Sequence, residues 1–214
     1  MKRLRRLPEQ LWKEVKQDAN PSFRTLAKAQ AALAIAIPTF MPVRPENLNE
    51  LEFDVHLFVR EGRGATSKLE VDAEQVKNDQ QLAFDISPHI VKMLIEYRDC
   101  IAPSVIGHRP TRVFVNADGT SKSQSMVALL ITSYARKRAG IVLTPHQFRH
   151  LAAKNILDAN PGAFALVQHL LGHKSLKTTM IYAGINKRRA ARHHYALIEL
   201  AVAAQMPARK RKKD

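Results

Sequence analysis

This sequence predicts a mainly helical α+β fold with a small three-stranded antiparallel sheet. Two patterns carry the prediction. Apolar side chains recur at helical spacing through most of the chain, whereas between Leu51 and Ser87 the period drops to two, the spacing of strands with one buried face. A hydrophobic content of 45% in 214 residues suits one principal core and leaves too little chain for two large ones.

Taken in order, the first helical pattern runs from Phe23 to Ile37. Arg44 then precedes Pro45, which favours a helix start and heads a second helix through Leu48 and Leu51. Phe53, Val55, Leu57 and Val59 alternate and read as the first strand, Leu69 and Val71 as the second, and Leu82, Phe84 and Ile86 as the third. Gly62-Arg63-Gly64 and Lys77-Asn78-Asp79-Gln80 supply the turns. Helical spacing returns over Pro88–Ile101, Ser123–Ala139, Gln147–Leu157, Ala163–Leu171 and Lys187–Ala204. The helix carrying Gln147 has a marked start: Thr144 as N-cap, Pro145 in the first position and Gln147 in the third form a capping box. Residues 1–7 and 206–214 read as mobile basic tails around one domain at 8–205.

Lys and Arg total 34 against 19 Asp and Glu, a net charge of +15 that points to a polyanionic partner such as nucleic acid or an anionic membrane surface. Lys2, Arg3, Arg5 and Arg6 at one end and Arg209–Lys213 at the other exaggerate this, but the segment between them is still basic. Cys100 is the single cysteine, expected as a small buried side chain. It forbids an intramolecular disulfide and gives an intracellular reading. No run reaches the roughly 18 apolar residues that cross a bilayer, and no apolar core of a signal peptide follows the basic start. The expectation is a cytoplasmic, DNA-associated protein with no membrane partner.

Two motifs carry chemistry. His146-Gln147-Phe148-Arg149 sits in a first helical turn, where unpaired backbone N–H groups and the helix dipole already favour an anion. Leu171-Gly172-His173 leads, nine residues after the histidine, to Tyr182. Breaking a phosphodiester with a side-chain oxygen needs an in-line nucleophile, cations around the nonbridging oxygens and a proton donor for the leaving oxygen. A phenolate is both nucleophile and leaving group, so a phosphotyrosyl bond can be reversed. Arginine grips phosphate with a planar, permanently charged fork. His146 and His150, four apart, lack the glutamate of a zinc-protease helix because Gln147 stands there, and no metal or other cofactor is expected.

Arg44 in Arg-Pro-Glu-Asn-Leu, Lys77, His146-x-x-Arg149-His150, Leu171-Gly172-His173 and Tyr182 resemble, in order and spacing, the catalytic domain of the tyrosine recombinases, the phage-integrase family. The likeness covers roughly residues 8–205 and implies that family's catalytic fold. It implies that Arg44 and Arg149 bind the scissile phosphate, and that His146 and His173 are further phosphate ligands and proton-handling groups. Lys77, with Lys68 as the alternative in another strand register, would protonate the leaving 5′ oxygen. Tyr182 would be the nucleophile of a 3′-phosphotyrosyl intermediate in site-specific DNA recombination or integration.

Asn47 stands where many members have an acidic residue, Gln147 where Asp is frequent and Phe148 where Leu is; none of these removes a catalytic group. The N-terminal core-binding domain that usually closes over DNA is expected to be absent, the chain being either a catalytic fragment or a shortened homologue. Weak, salt-dependent binding would follow. The implied partners are double-stranded DNA and further copies of the chain, as a tetramer on DNA joined through the helix after Tyr182. That helix folding back on its own domain is the alternative. The resemblance leaves room for accessory DNA-bending or directionality proteins and implies a phage or other mobile element as source. Competing functions are type IB topoisomerase-like relaxation and a noncatalytic DNA-binding fragment.

Overall fold

The computed structural model describes residues 2–60, 62, 65–73, 81–160 and 162–173, with isolated positions 175, 177, 179, 195 and 198. Lys77, Tyr182, most of both expected strand turns, most of the helix expected at 187–204 and the segment 206–214 lie outside the described residues.

The chain opens with a helix that the charge pattern concealed. α1 spans Lys2–Lys16 and buries Leu4, Leu7, Leu11 and Val15, spaced three or four apart, with Trp12 beside them. The expectation of a mobile basic tail at residues 1–7 is therefore wrong: Arg3, Arg5 and Arg6 are the solvent face of a helix whose other face is core. Trp12 Nε1 donates to Glu96 Oε2 at 2.7 Å and Lys16 Nζ to Oε1 at 3.1 Å, pinning α1 across the domain. Burial pushes the Glu96 carboxyl up, but those two bonds together with the charges of Lys16 and Lys92 outweigh it and hold the group below its ordinary value.

α1 packs on α2, Phe23–Phe40, whose residues from Ala31 to Pro38 are all buried and which forms the axis of the core. The short α3, Pro45–Asn49, follows. The sheet order is β1-β2-β3 with both pairs antiparallel: Leu57–Phe58, Lys68–Val71 and Leu82–Asp85. Leu57 faces Leu69, and β2 and β3 run in register from Lys68 with Asp85 to Val71 with Leu82. That register makes residues 72–81, which include Lys77, the connection between β2 and β3.

The first strand is shorter than its alternation suggested. Asp54 takes a left-handed backbone (φ 63°), and the His56 N–H donates to the Glu52 carbonyl at 3.0 Å, so the chain turns before β1. Val55 points outward as a result. Phe53 instead pairs its N–H with the Thr111 carbonyl at 2.8 Å.

α4 (Pro88–Glu96) passes through a π-helical turn, Tyr97–Ile101, into α5 (Ala102–Ile106). Buried Gln30 holds that turn by donating to the Tyr97 hydroxyl at 2.9 Å and the Val115 carbonyl at 2.8 Å. Cys100, expected inside, is exposed on this turn. α6 (Gln124–Tyr134) likewise ends in a π-helical turn, Ala135–Ala139, closed by Gly140 in a left-handed conformation. α7 (Pro145–Ala159) and α8 (Phe164–Leu171) complete the described fold. Ala153, Leu157, Val167 and Leu171 form a small cluster between them, separate from the main core to which Phe148 belongs. Among the described residues no helix is long and apolar enough to cross a membrane.

Candidate active site

The Thr144 cap sets the start of α7, as its sequence predicts. Gln147 Oε1 accepts from the Thr144 N–H at 2.7 Å, and Pro145 occupies the first helical position. From that start, His146 stands exposed and Arg149, one turn on, points into the molecule. Arg149 is 2% exposed and among the largest fully buried side chains described. Nη1 donates to the Pro42 carbonyl at 2.7 Å and Nη2 to the Leu171 carbonyl at 2.5 Å. One guanidinium thus joins the loop before Arg44 to the end of α8 before His173.

Arg44 is the N-cap of α3. Pro45 behind it confines it to extended backbone (φ −70°, ψ 153°), and Met41, Pro42 and Val43 before it are buried. Its side chain is partly buried, and Nη1 is fully buried with no hydrogen-bond partner among the described residues. Such a donor costs about 1–3 kcal/mol when left unmade, so an anion arriving there gains more than it would at a solvated arginine.

Gly172 explains the Leu-Gly-His motif. It ends α8 in the left-handed region (φ 58°, ψ 44°), where glycine carries no Cβ penalty, and turns the chain so that the His173 N–H donates to the Gln168 carbonyl at 2.9 Å. Gln168 Nε2 returns a bond to the His173 carbonyl at 3.0 Å. The imidazole is 6% exposed, with Nδ1 2.9 Å from the hydroxyl of Thr179, itself fully buried. Burial first, and then the charges of Arg149, Arg44 and His146, push the His173 pKa down to about 4. Arg149, Arg44 and His146 thus all lie within electrostatic reach of His173. The His146 and His150 rings meet edge to face, with centroids 5.1 Å apart. Burial, His146 and Arg149 together hold the His150 pKa below its ordinary value.

The structure therefore brings together Arg44, His146, Arg149 and His173, while Lys77 and Tyr182 lie outside the described residues. Lys68 lies on β2 with Nζ 3.8 Å from Glu70 Oε1. Three participants escaped the sequence reading. The Pro42 and Leu171 carbonyls are backbone groups that no side-chain motif can announce. Thr179 was visible inside the motif but had no signal tying it to His173. Chemically, a buried cluster of arginines and histidines with an unpaired donor is built to take a tetrahedral oxyanion. Among the described residues no group of three or more His, Cys, Asp or Glu is placed to hold a metal ion.

The phage integrase family model matches residues 9–189. The chain belongs to the phage integrase family. Among curated relatives it is similar to the tyrosine recombinase XerD of Staphylococcus epidermidis, 25% identical over 146 residues, which is 62% of this chain and 49% of that one. It is also similar to the tyrosine recombinase XerC of Leptospira interrogans, 36% identical over 97 residues, 44% of this chain and 29% of that one. The chain thus spans half or less of the length of these two relatives. Among solved structures its integrase fold matches XerA recombinase (TM-score 0.57, 20% identity, 94% of this chain and 64% of that one). It also matches the XerH site-specific recombinase bound to its difH substrate before cleavage (TM-score 0.60, 19% identity, 94% and 53%).

Proposed function

We propose that this integrase-family chain cleaves and rejoins double-stranded DNA at specific sites through a 3′-phosphotyrosyl intermediate on Tyr182. One observation carries the reading: the buried Arg149 guanidinium and His173 imidazole lie with partly buried Arg44 and exposed His146 in one cluster, in which Arg44 Nη1 is buried with no hydrogen-bond partner among the described residues. A solvated surface arginine would have no reason to hold that position without an anion to meet it. In the proposed reaction the two guanidinium groups and the histidines hold the nonbridging oxygens of the scissile phosphate. The Tyr182 phenolate attacks phosphorus, the 5′ oxygen leaves, and Lys77 gives it a proton. Attack by a 5′ hydroxyl then restores the phosphodiester and frees the tyrosine. No metal or other cofactor takes part.

The solved XerH complexes, which hold a recombination substrate before and after cleavage, support DNA as the partner. Assembly of several copies on DNA through the helix after Tyr182 belongs to the same reading. Tyr195 and Ile198, three apart in helical backbone, are 65% and 50% exposed and offer an apolar face to a neighbouring copy. If so, a chain cut after Asn186 loses association on DNA; unchanged association refutes the exchange.

The functional test is incubation of the protein and its Tyr182→Phe variant with supercoiled plasmid at low salt in EDTA, followed by denaturation. Protein-linked nicked DNA that requires Tyr182 supports the reading. An equal yield from the variant contradicts it.

A further inference from the structure

We propose that Thr179 is a positioning residue for His173, its hydroxyl holding the ring through Nδ1 and so setting which ring nitrogen carries the imidazole proton. The inference rests on the reading of the cationic cluster as a phosphodiester site.

The bond is direct: Thr179 Oγ1 lies 2.9 Å from His173 Nδ1, at 0% and 6% residue exposure, where water does not substitute for a lost partner. A threonine hydroxyl in helical backbone ordinarily turns back to a carbonyl of its own preceding turn. Thr179, in helical backbone, reaches across to another element's ring instead.

The tautomer matters because the ring is neutral near pH 7, its pKa held at about 4 by burial and by Arg149, Arg44 and His146, the charged groups that act on it. A neutral imidazole has one donor and one acceptor nitrogen. With the Thr179 hydroxyl donating to Nδ1, Nε2 carries the proton and acts as a donor, the form suited to an oxyanion. With the hydroxyl accepting, Nε2 becomes a base and meets an oxyanion lone pair to lone pair. An oxyanion held by the arginines selects the first form.

Thr179 also stands three residues before Tyr182. Loss of its bond to His173 affects the ring, while the arginines that grip phosphate stay as they are.

The test uses full-length protein with ¹⁵N-labelled histidine, the His173 signals being assigned by their loss in His173→Gln. Wild type bound to duplex DNA is expected to show one tautomer with the proton on Nε2. In Thr179→Val, which keeps the shape and removes the hydroxyl, the two ring nitrogens are expected to move toward a tautomer mixture. Thr179→Ser restores the wild-type pattern and guards against a variant that merely misfolds. On a nicked duplex that traps the covalent product, Thr179→Val is expected to slow cleavage on the order of tenfold or more with unchanged DNA affinity. That is short of the ~10⁴-fold loss seen when a charged orienting group is neutralised beside a catalytic histidine. Unchanged ring-nitrogen shifts in a folded Thr179→Val protein overturn the positioning role, whatever the cleavage rate. A shifted tautomer in a protein whose wild type forms no adduct supports the positioning role and refutes the recombinase reading.

Discussion

Replacing Arg149 by lysine keeps the charge and tests whether the guanidinium is a structural bracket as well as a phosphate ligand. Arg149 donates to two carbonyls, Pro42 at 2.7 Å and Leu171 at 2.5 Å, from separate terminal nitrogens of one planar group. An ammonium is a point donor on a single stem and can keep one of these partners at good geometry. The other is then a buried carbonyl without a hydrogen bond, which costs about 1–3 kcal/mol. For a domain of this size each kcal/mol lowers the Tm by about 2–4 °C, so Arg149→Lys should melt roughly 2–12 °C below wild type. The carbonyls belong to the loop leading to Arg44 and to the end of α8, so loss of either bond loosens the small α7–α8 cluster from the main core. Thermal unfolding followed by circular dichroism in the absence of DNA reads the effect. Arg136→Lys, an exposed change on the π-helical turn, serves as the control that should not move the transition. If Arg149→Lys melts with the wild type and the control, the two bonds contribute nothing net and the bracket argument fails.

Three further outcomes follow from the same physical chemistry. Arg44→Met removes a buried donor that has no partner among the described residues, so its Tm should equal or exceed that of wild type while covalent DNA cleavage is lost; a fall as large as that of Arg149→Lys would show that Arg44 is satisfied in the free protein. His173 has a folded pKa of about 4 against an ordinary 6.5, so the unfolded chain takes up a proton first as pH falls. The stability this supplies is complete above about pH 6.5 and is lost toward pH 4, by up to about 3 kcal/mol, a decline that urea titrations should find flattened in His173→Gln. Leu7→Ala should cost about 2–5 kcal/mol in urea unfolding because Leu7 is fully buried; a change below 0.5 kcal/mol, about what a surface substitution costs, would return residues 1–7 to the status of a tail.

The Leu7 prediction marks where the sequence misled. Pro8 and a basic run made residues 2–7 look like solvated chain, yet Leu4, Leu7 and Leu11 keep a helix period that burial made decisive. Phe53 and Val55 misled in the opposite sense. Their alternation is that of a strand, but a left-handed Asp54 turns the backbone, and φ at a non-glycine residue is not written in periodicity. The capped start of α7 was legible because caps depend on local side chains. The candidate site was written in the sequence as residue types and spacings, and the structure brings Arg44, His146 and Arg149 within electrostatic reach of His173. The carbonyls that hold Arg149 and the hydroxyl that holds His173 were not legible. Each is a long-range partner chosen by the fold, and any buried backbone oxygen or threonine was equally eligible beforehand.

The central claim is a covalent bond between Tyr182 and a DNA 3′ phosphate, made at a cluster of Arg44, Arg149, His146 and His173. Its most direct test is to trap the wild-type protein on a nicked duplex in EDTA, digest it, and map the nucleotide adduct by mass spectrometry. The prediction is a 3′-phosphoryl adduct on the peptide containing Tyr182, together with a free 5′ hydroxyl on the released strand. An adduct on any other residue, a 5′-phosphoryl linkage, or cleavage that leaves no protein attached would contradict it.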